Sequence, residues 1–451
     1  MLPDYLAKAV PVAADKRTPW YVSTAPSYAG VFLWVAFYQA IAVGTVNRAG
    51  LGLCLLALLV AGLLSYALFY YVPAMLGMKT GYPLYVVGSS TFGARGGYLM
   101  PGLLMGLLQV GWFAVGTYFS ALYILNGFRA DARPGTPLFA LVALLWGYTM
   151  AYVGVKGIRY VASVALYLNA IAFLMVLAVF LKTAAGLPKH TPTDYAPLIA
   201  FTLLIQMVIG FFATAGAAGA DFGMNNRNPR DVRLGGLVGI TLAIVYAGGL
   251  PLLSVAGARA LYPGLEGYTY DAVIGALGGF LASAMFFLFA IASIAPACFC
   301  AFIAGNSFAT MIPRIPRAWS LTTALTVSII LAITGVAQNL IGFFTIVGAS
   351  FGPICGAMAA DYLLAGRRWA GPRQGINWAG YGAWALGFLV GILPFLPIPA
   401  DLKTRIQPAV VYSFLTGFIV YAALAKAGLQ PKPLPLAAPV EPPSKAASAG
   451  A

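Results

Sequence analysis

Charge is what this 451-residue sequence has least of. Only 8% of its residues are Asp, Glu, Lys or Arg, against about 25% in an ordinary soluble domain. With 61% hydrophobic residues, too little polar surface remains to shell a water-soluble protein of this length. Histidine occurs once, at His190 beside Lys189 in a polar loop. A membrane enzyme needs titratable or metal-binding groups converging at depth, and this chain offers few. The four cysteines, Cys54, Cys298, Cys300 and Cys355, lie inside apolar runs, and Cys298 and Cys300 point to different helix faces. They read as small polarizable packing residues, not as a disulfide, metal or redox set. No Walker-type phosphate loop is present, which disfavours an ATP-driven pump. Residues 1–26 are polar, carry Pro3, Pro11, Pro19 and Pro26, and lack the short apolar core of a signal peptide.

Long apolar runs fill the rest. Mean hydropathy is +0.87, too strong for the alternating strands of a membrane β-barrel. The pattern predicts an all-α polytopic membrane protein whose apolar surface is solvated by lipid. Twelve spans are expected near 29–48, 50–77, 98–126, 136–155, 157–184, 197–219, 234–260, 273–311, 319–335, 338–365, 376–396 and 408–427. The eighth is longer than one helix needs, so its first part is expected to be a surface helix. Residues 1–26 form an N-terminal tail, 27–427 one transmembrane domain, and 428–451 a Pro-rich tail expected to be disordered. The net charge of +15 sits in short loops and reads as topology, not as a nucleic-acid surface. With the N-terminus inside, 18 of the 26 Lys and Arg fall on inner loops and tails and 8 on outer ones. Both termini are therefore expected in the cytoplasm, in the cell inner membrane. Trp20, Trp319, Trp369 and Trp378 sit at span ends as interfacial anchors.

Two stretches are expected to interrupt their helices. One is Gln39–Thr45 in span 1, and the other runs from Gly210 through Gly216 to Gly219 in span 6. Interrupted helices in corresponding positions, five spans apart, mark inverted-repeat transporters. The competing explanation is that small residues let helices pack closely.

Span 3 places Gln109 and Trp112 three residues apart on one helix face. A buried carboxamide offers a donor and an acceptor, and an indole offers a flat apolar surface. Together they suit a small planar heterocycle with amide-like edges. Phe211, Phe212 and Thr214 in the glycine-rich part of span 6 supply a second aromatic face and a hydroxyl. Gln39 and Trp34 add a polar and an aromatic candidate from span 1.

The chain resembles the nucleobase–cation symporter family, most closely its bacterial cytosine permease branch. The resemblance rests on Lys79-Thr-Gly81, Thr91-Phe-Gly-Ala-Arg-Gly96, Gln109-Val-Gly-Trp-Phe113, Ala215-Gly216 with Ala220-Asp221-Phe222, Arg227-Asn228, Ala360-Asp361-Tyr-Leu363 with Arg367-Arg368, and Asn377-Trp378. It implies a five-plus-five inverted repeat, about 27–186 and 197–366, with two added C-terminal helices at about 376–427. It also implies alternating access and a substrate site between spans 1, 3, 6 and 8. Gln109 and Trp112 would hold the heterocycle, Phe212 would stack or cap it, and Thr214 stands where the family has a small hydroxyl. Cytosine, another nucleobase, a hydantoin, allantoin or a vitamin-like ring would fit, carried by a single chain without cofactor.

Sodium-coupled members have hydroxyl residues and an asparagine on span 8, where this chain has Ala295, Pro296 and Ala297. Ser293 is the remaining candidate in a cation site. Na⁺ needs oxygen ligands, so coupling to Na⁺, to H⁺ or to no ion stays open. Asp221 and Asp361 are expected near the inner edge, paired with Arg227 and Arg367 as structural ion pairs or an inner gate. A membrane sensor that binds without translocating is the alternative of another class.

Overall fold

The computed structural model describes residues 2–435, apart from Gly157. Among the described residues the elements are helical. Ten helices among the described residues are long and apolar enough to cross a membrane, and Ala318–Ile333 is a shorter apolar helix in the ninth expected position. The expected first span is broken rather than long.

Its first piece is Thr24–Phe32. The chain then extends at Trp34 (φ −73°, ψ 132°), makes one further turn over Val35–Tyr38, and continues as turns to Ala49. The break therefore starts at Leu33–Trp34, ahead of the expected Gln39. A cause lies across the interface: a Cβ on Gly116 of span 3 would sit 3.1 Å from the Trp34 ring, so the glycine makes room for the indole.

In span 6 the interruption expected between Gly210 and Gly219 is confined to Ala218, and the stretch before it stays helical. The helix is continuous over Pro197–Ala217 and ends at Ala218, before a short piece at Gly219–Gly223. Its glycines serve close packing. A Cβ at Gly210 would lie 2.5 Å from the Phe344 carbonyl oxygen of span 10, and one at Gly216 would lie 2.7 Å from Phe69 Cβ. Backbones that approach this closely leave room only for hydrogen.

Span 8 divides as its length suggests. A separate helix, Tyr270–Leu277, is followed by Gly278 and Gly279, both at positive φ (68° and 59°). The span proper is Gly279–Ala292, then a break at Ser293, then Ile294–Met311. Pro296 lies in the first turn of the second piece, where its missing N–H costs no helical bond. Span 3, Leu104–Gly127, packs on spans 4, 8 and 9, while spans 11 and 12 pack on span 10.

The tail departs from its expected disorder at its start. Leu434 N–H bonds the Pro372 carbonyl at 2.6 Å and Gln374 N–H bonds the Lys432 carbonyl at 3.0 Å. Residues 436–451 of the expected tail lie outside the described residues.

Candidate functional site

Trp112 is the centre of an aromatic cluster drawn from four spans. Its ring meets Trp34 of span 1 at 5.7 Å, Phe211 of span 6 at 5.1 Å, and Phe343 and Phe344 of span 10 at 4.8 and 5.8 Å. The Phe211 and Phe343 contacts are edge-on, the geometry ring quadrupoles favour. The Trp112 indole N–H donates to the Thr214 hydroxyl at 3.2 Å, tying span 3 to span 6. Trp112, Thr214 and Phe211 are buried together.

Two polar groups bordering this cluster have weak bonding or none. Gln109, one turn before Trp112, is buried and its amide donates to the Met105 sulfur at 3.7 Å, a weak acceptor. The Trp34 indole N–H is buried without a hydrogen-bond partner. A buried donor left unsatisfied costs about 1–3 kcal/mol, which a ligand edge can recover. Beside the cluster lies a mainly apolar cleft of about 200 Å³, bordered by Gly111, Val115, Phe343 and Asn339.

The remaining candidates lie elsewhere. Phe212 turns away from Trp112 and packs on Tyr28 at 5.6 Å and Phe32 at 5.5 Å. Successive helical residues diverge by about 100°, so Phe211 takes the place beside the indole. Gln39 is bonded to Tyr123 and Asp271. Tyr123 is 14 residues beyond Gln109 on the same helix, about 21 Å along its axis, so one small ring does not bridge the two glutamines in this conformation. Ser293 donates to the Phe289 carbonyl of its own helix at 3.0 Å.

Phe343, Phe344, Tyr123 and Asp271 are absent from the sequence-based set. A signal for the first two exists: Ile209-Gly-Phe-Phe212 recurs as Ile341-Gly-Phe-Phe344. The two copies meet where Gly210 abuts Phe344.

Both expected charge pairings are overturned. Arg227 bonds Asp231 at 3.0 Å, one helical turn away, and not Asp221. The half-buried Asp221 carboxyl instead takes the Leu84 backbone N–H, and desolvation pushes its pKa up to about 7. Asp361 pairs with Arg373 at 2.9 Å, not with Arg367. Ser90, Tyr421 and Gln430 also donate to Asp361, at 2.6, 2.8 and 3.1 Å. Arg367 offers its backbone carbonyl to Lys79 at 2.7 Å. Positive φ at Gly366, Gly371 and Gly375 folds the loop back so that Arg373, not the nearer arginine, reaches the carboxylate.

Comparison with known proteins places this geometry. The profile of a family described as permeases for cytosine/purines, uracil, thiamine and allantoin matches residues 11–420. Cytosine permease of Escherichia coli (strain K12) is 28% identical over 377 residues, covering 80% of this chain and 84% of that protein. Among solved structures, inward-facing Mhp1 superposes with a TM-score of 0.74 at 16% identity, covering 93% of this chain and 94% of that one. A closed conformation of Mhp1, a nucleobase-cation-symport-1 family transporter with bromovinylhydantoin bound, gives 0.67 at 18% identity, covering 95% and 96%. A Na⁺-coupled sialic acid symporter gives 0.56 at 14% identity, covering 96% and 93%. The helical fold is thus that of the inverted-repeat transporters.

Proposed function

This chain belongs to the family of permeases for cytosine/purines, uracil, thiamine and allantoin, and we propose that its own cargo is a small planar nitrogen heterocycle of the cytosine kind, taken into the cell. It is a multi-pass membrane transporter and not an enzyme. The observation that carries the substrate reading is the Trp112 cluster, with a poorly bonded carboxamide on one side and an unpartnered indole N–H on the other. The rings provide stacking faces, and Gln109 reads a donor–acceptor edge. Phe211 and Phe343 close over the ring, while Thr214 orients the Trp112 indole. In the described conformation the rings fill the centre themselves, so cargo enters when span 1 and span 10 withdraw Trp34 and Phe343. This is the alternating-access step, with the broken first span as its movable part. Both termini face the cytoplasm, a reading supported by the excess of Lys and Arg on the inner loops.

The test is ligand binding by the purified chain and uptake by the chain in vesicles. Cytosine, uracil, hypoxanthine, allantoin and a hydantoin form the panel. Saturable binding and uptake of one of them are expected. Trp112→Ala should lower that affinity from about fivefold to over a hundredfold, the scale of one lost base-stacking contact; loss of the buried ring should lower the thermal midpoint as well, so affinity is measured well below it, on folded protein. Wild-type affinity in Trp112→Ala would remove this site from consideration. Binding without uptake would favour the sensor.

A further inference from the structure

Spans 2 and 7 each change helical form along their length. Span 2 runs Leu51–Leu64, then a wide π segment at Ser65–Tyr70, then Tyr71–Thr80. Span 7 runs Pro229–Gly236, a π segment at Leu237–Leu242, then Ala243–Leu261. Neither π segment contains proline. Each holds one residue more than α geometry would, which interrupts the regular hydrogen-bond ladder and lets a helix bend. The two spans stand five apart, as the broken spans 1 and 6 do, and their π segments pack on each other. The buried Ser65 hydroxyl has no hydrogen-bond partner there. Each π segment also bears on a broken span. A Cβ on Gly239 would lie 2.7 Å from Ala25 Cα in the first piece of span 1. A Cβ on Gly216, in the last turn of span 6 before its break, would lie 2.7 Å from Phe69 Cβ.

On the side that carries the termini, segments of all four spans are bonded into one block. The Thr24 hydroxyl donates to Asn226 Oδ1 at 2.7 Å, and the Tyr70 hydroxyl donates to the Val232 carbonyl at 3.0 Å. Thr18 N–H bonds the Asn225 carbonyl at 2.8 Å, and Trp20 N–H bonds Asp231 at 3.3 Å. Gly77 and Gly223 lie so close to the backbones of Ala220 and Ala74 that neither has room for a Cβ. On the other side, Ala243–Leu261 packs on Leu51–Leu64, where a Cβ on Gly248 or Gly249 would lie 3.3 Å from Leu58 or Leu55. A block can tilt only where every span that leaves it can bend. Each of the four does: span 1 at Leu33–Trp34, span 6 at Ala218, span 2 at Ser65–Tyr70 and span 7 at Leu237–Leu242.

We infer that the paired π segments are a double joint, on which the block of Thr18–Phe32, Tyr71–Thr80 and Gly219–Gly236 tilts against Leu51–Leu64 and Ala243–Leu261 when the transporter changes state. The four spans therefore articulate part-way along their length and do not rock as one rigid unit. The Tyr28 hydroxyl crosses the boundary to the Ala215 carbonyl at 3.0 Å and holds the block in the described position. The Thr241 hydroxyl fastens the joint itself, donating at 3.2 Å to the Gly62 carbonyl, where the α ladder of span 2 gives way.

The test uses the purified full-length chain without cargo, so an error in the substrate reading leaves the result unaffected. Leu56 and Arg230 are exposed on opposite sides of the joint, and the native cysteines are buried. Spin labels at Leu56→Cys and Arg230→Cys report their separation by double electron–electron resonance. A bend of about 20°, acting through an arm like the ten residues Tyr71–Thr80, about 15 Å long, moves its end by about 5 Å. The distances should spread by about that amount. Deleting Ala67 and Val238, an exposed residue from each π segment, closes both to α-helix and should remove most of the spread. Equal distributions in the labelled wild type and the deletion variant overturn the joint. If the deletion variant does not fold, Tyr28→Phe replaces it. Loss of that hydroxyl should widen or shift the distribution, and an unchanged distribution overturns the joint equally.

Discussion

Asp361 shows how far a single residue's surroundings can be read from its sequence neighbours. The Ala-Asp-Tyr-Leu motif marks it as important, and Arg367 and Arg368 follow at once. Yet its partner is Arg373, and its other donors come from the loop after span 2, from span 12 and from the tail. Sequence proximity says which charges are available. Only the path of the chain says which of them arrives. Asp361 and Arg373 are 4% and 8% exposed, so removing one leaves the other uncompensated in a dry site. Arg373→Ala should cost about 3 kcal/mol, the low end for a broken buried pair, because Ser90, Tyr421 and Gln430 still stabilise the carboxylate. Arg367→Gln should change stability by less than about 0.5 kcal/mol, as expected at a surface position. Thermal unfolding of both variants in one detergent decides it, and equal losses would contradict the pairing.

At the scale of elements, apolar runs locate helices well but leave the meaning of glycine open. The split of span 8 was legible, because the run exceeded one helix. The interruption of span 1 over Gln39–Thr45 was legible, but its start at Leu33–Trp34 was not, since that depends on the Trp34–Gly116 fit between two spans. In span 6 the sequence left unwinding and close packing open, and the structure has packing at Gly210 and Gly216 with the break only at Ala218. A helix with Gly210 and Gly216 looks breakable in isolation, whereas here those glycines let spans 2 and 10 press against its backbone. Gly210→Ala tests that packing. Its methyl group would lie 2.5 Å from a carbonyl oxygen that belongs to backbone and has little room to yield. A loss of about 1–3 kcal/mol is expected, the usual penalty of overpacking, together with weaker heterocycle binding as Phe211 and Phe344 are forced apart. Full stability in Gly210→Ala would show that spans 6 and 10 are not in contact at this point.

The molecule as a whole must connect cargo binding to a change of global state, and an ion takes part only if it binds one state better than another. The architecture was legible in the sequence because it is fixed by the order and spacing of motifs over some 400 residues. Ion coupling was less so, because it depends on a few oxygens meeting at one point. At the break in span 8 the hydroxyl of Ser293 is already committed to the Phe289 carbonyl, and Ala295, Pro296 and Ala297 bring no side-chain oxygen. Sodium requires several such oxygens at once. Without them its differential affinity for any conformation is small, and by mass action it then contributes little to cargo binding however much is present. Replacing choline with Na⁺ at constant ionic strength should therefore change heterocycle affinity by less than about twofold. The measurement is a titration of the purified chain in each salt. A tenfold gain with Na⁺ would mean that backbone carbonyls of the broken first span and of the Ser293 kink suffice as a cation site, and that the missing hydroxyls are not what determines coupling in this fold.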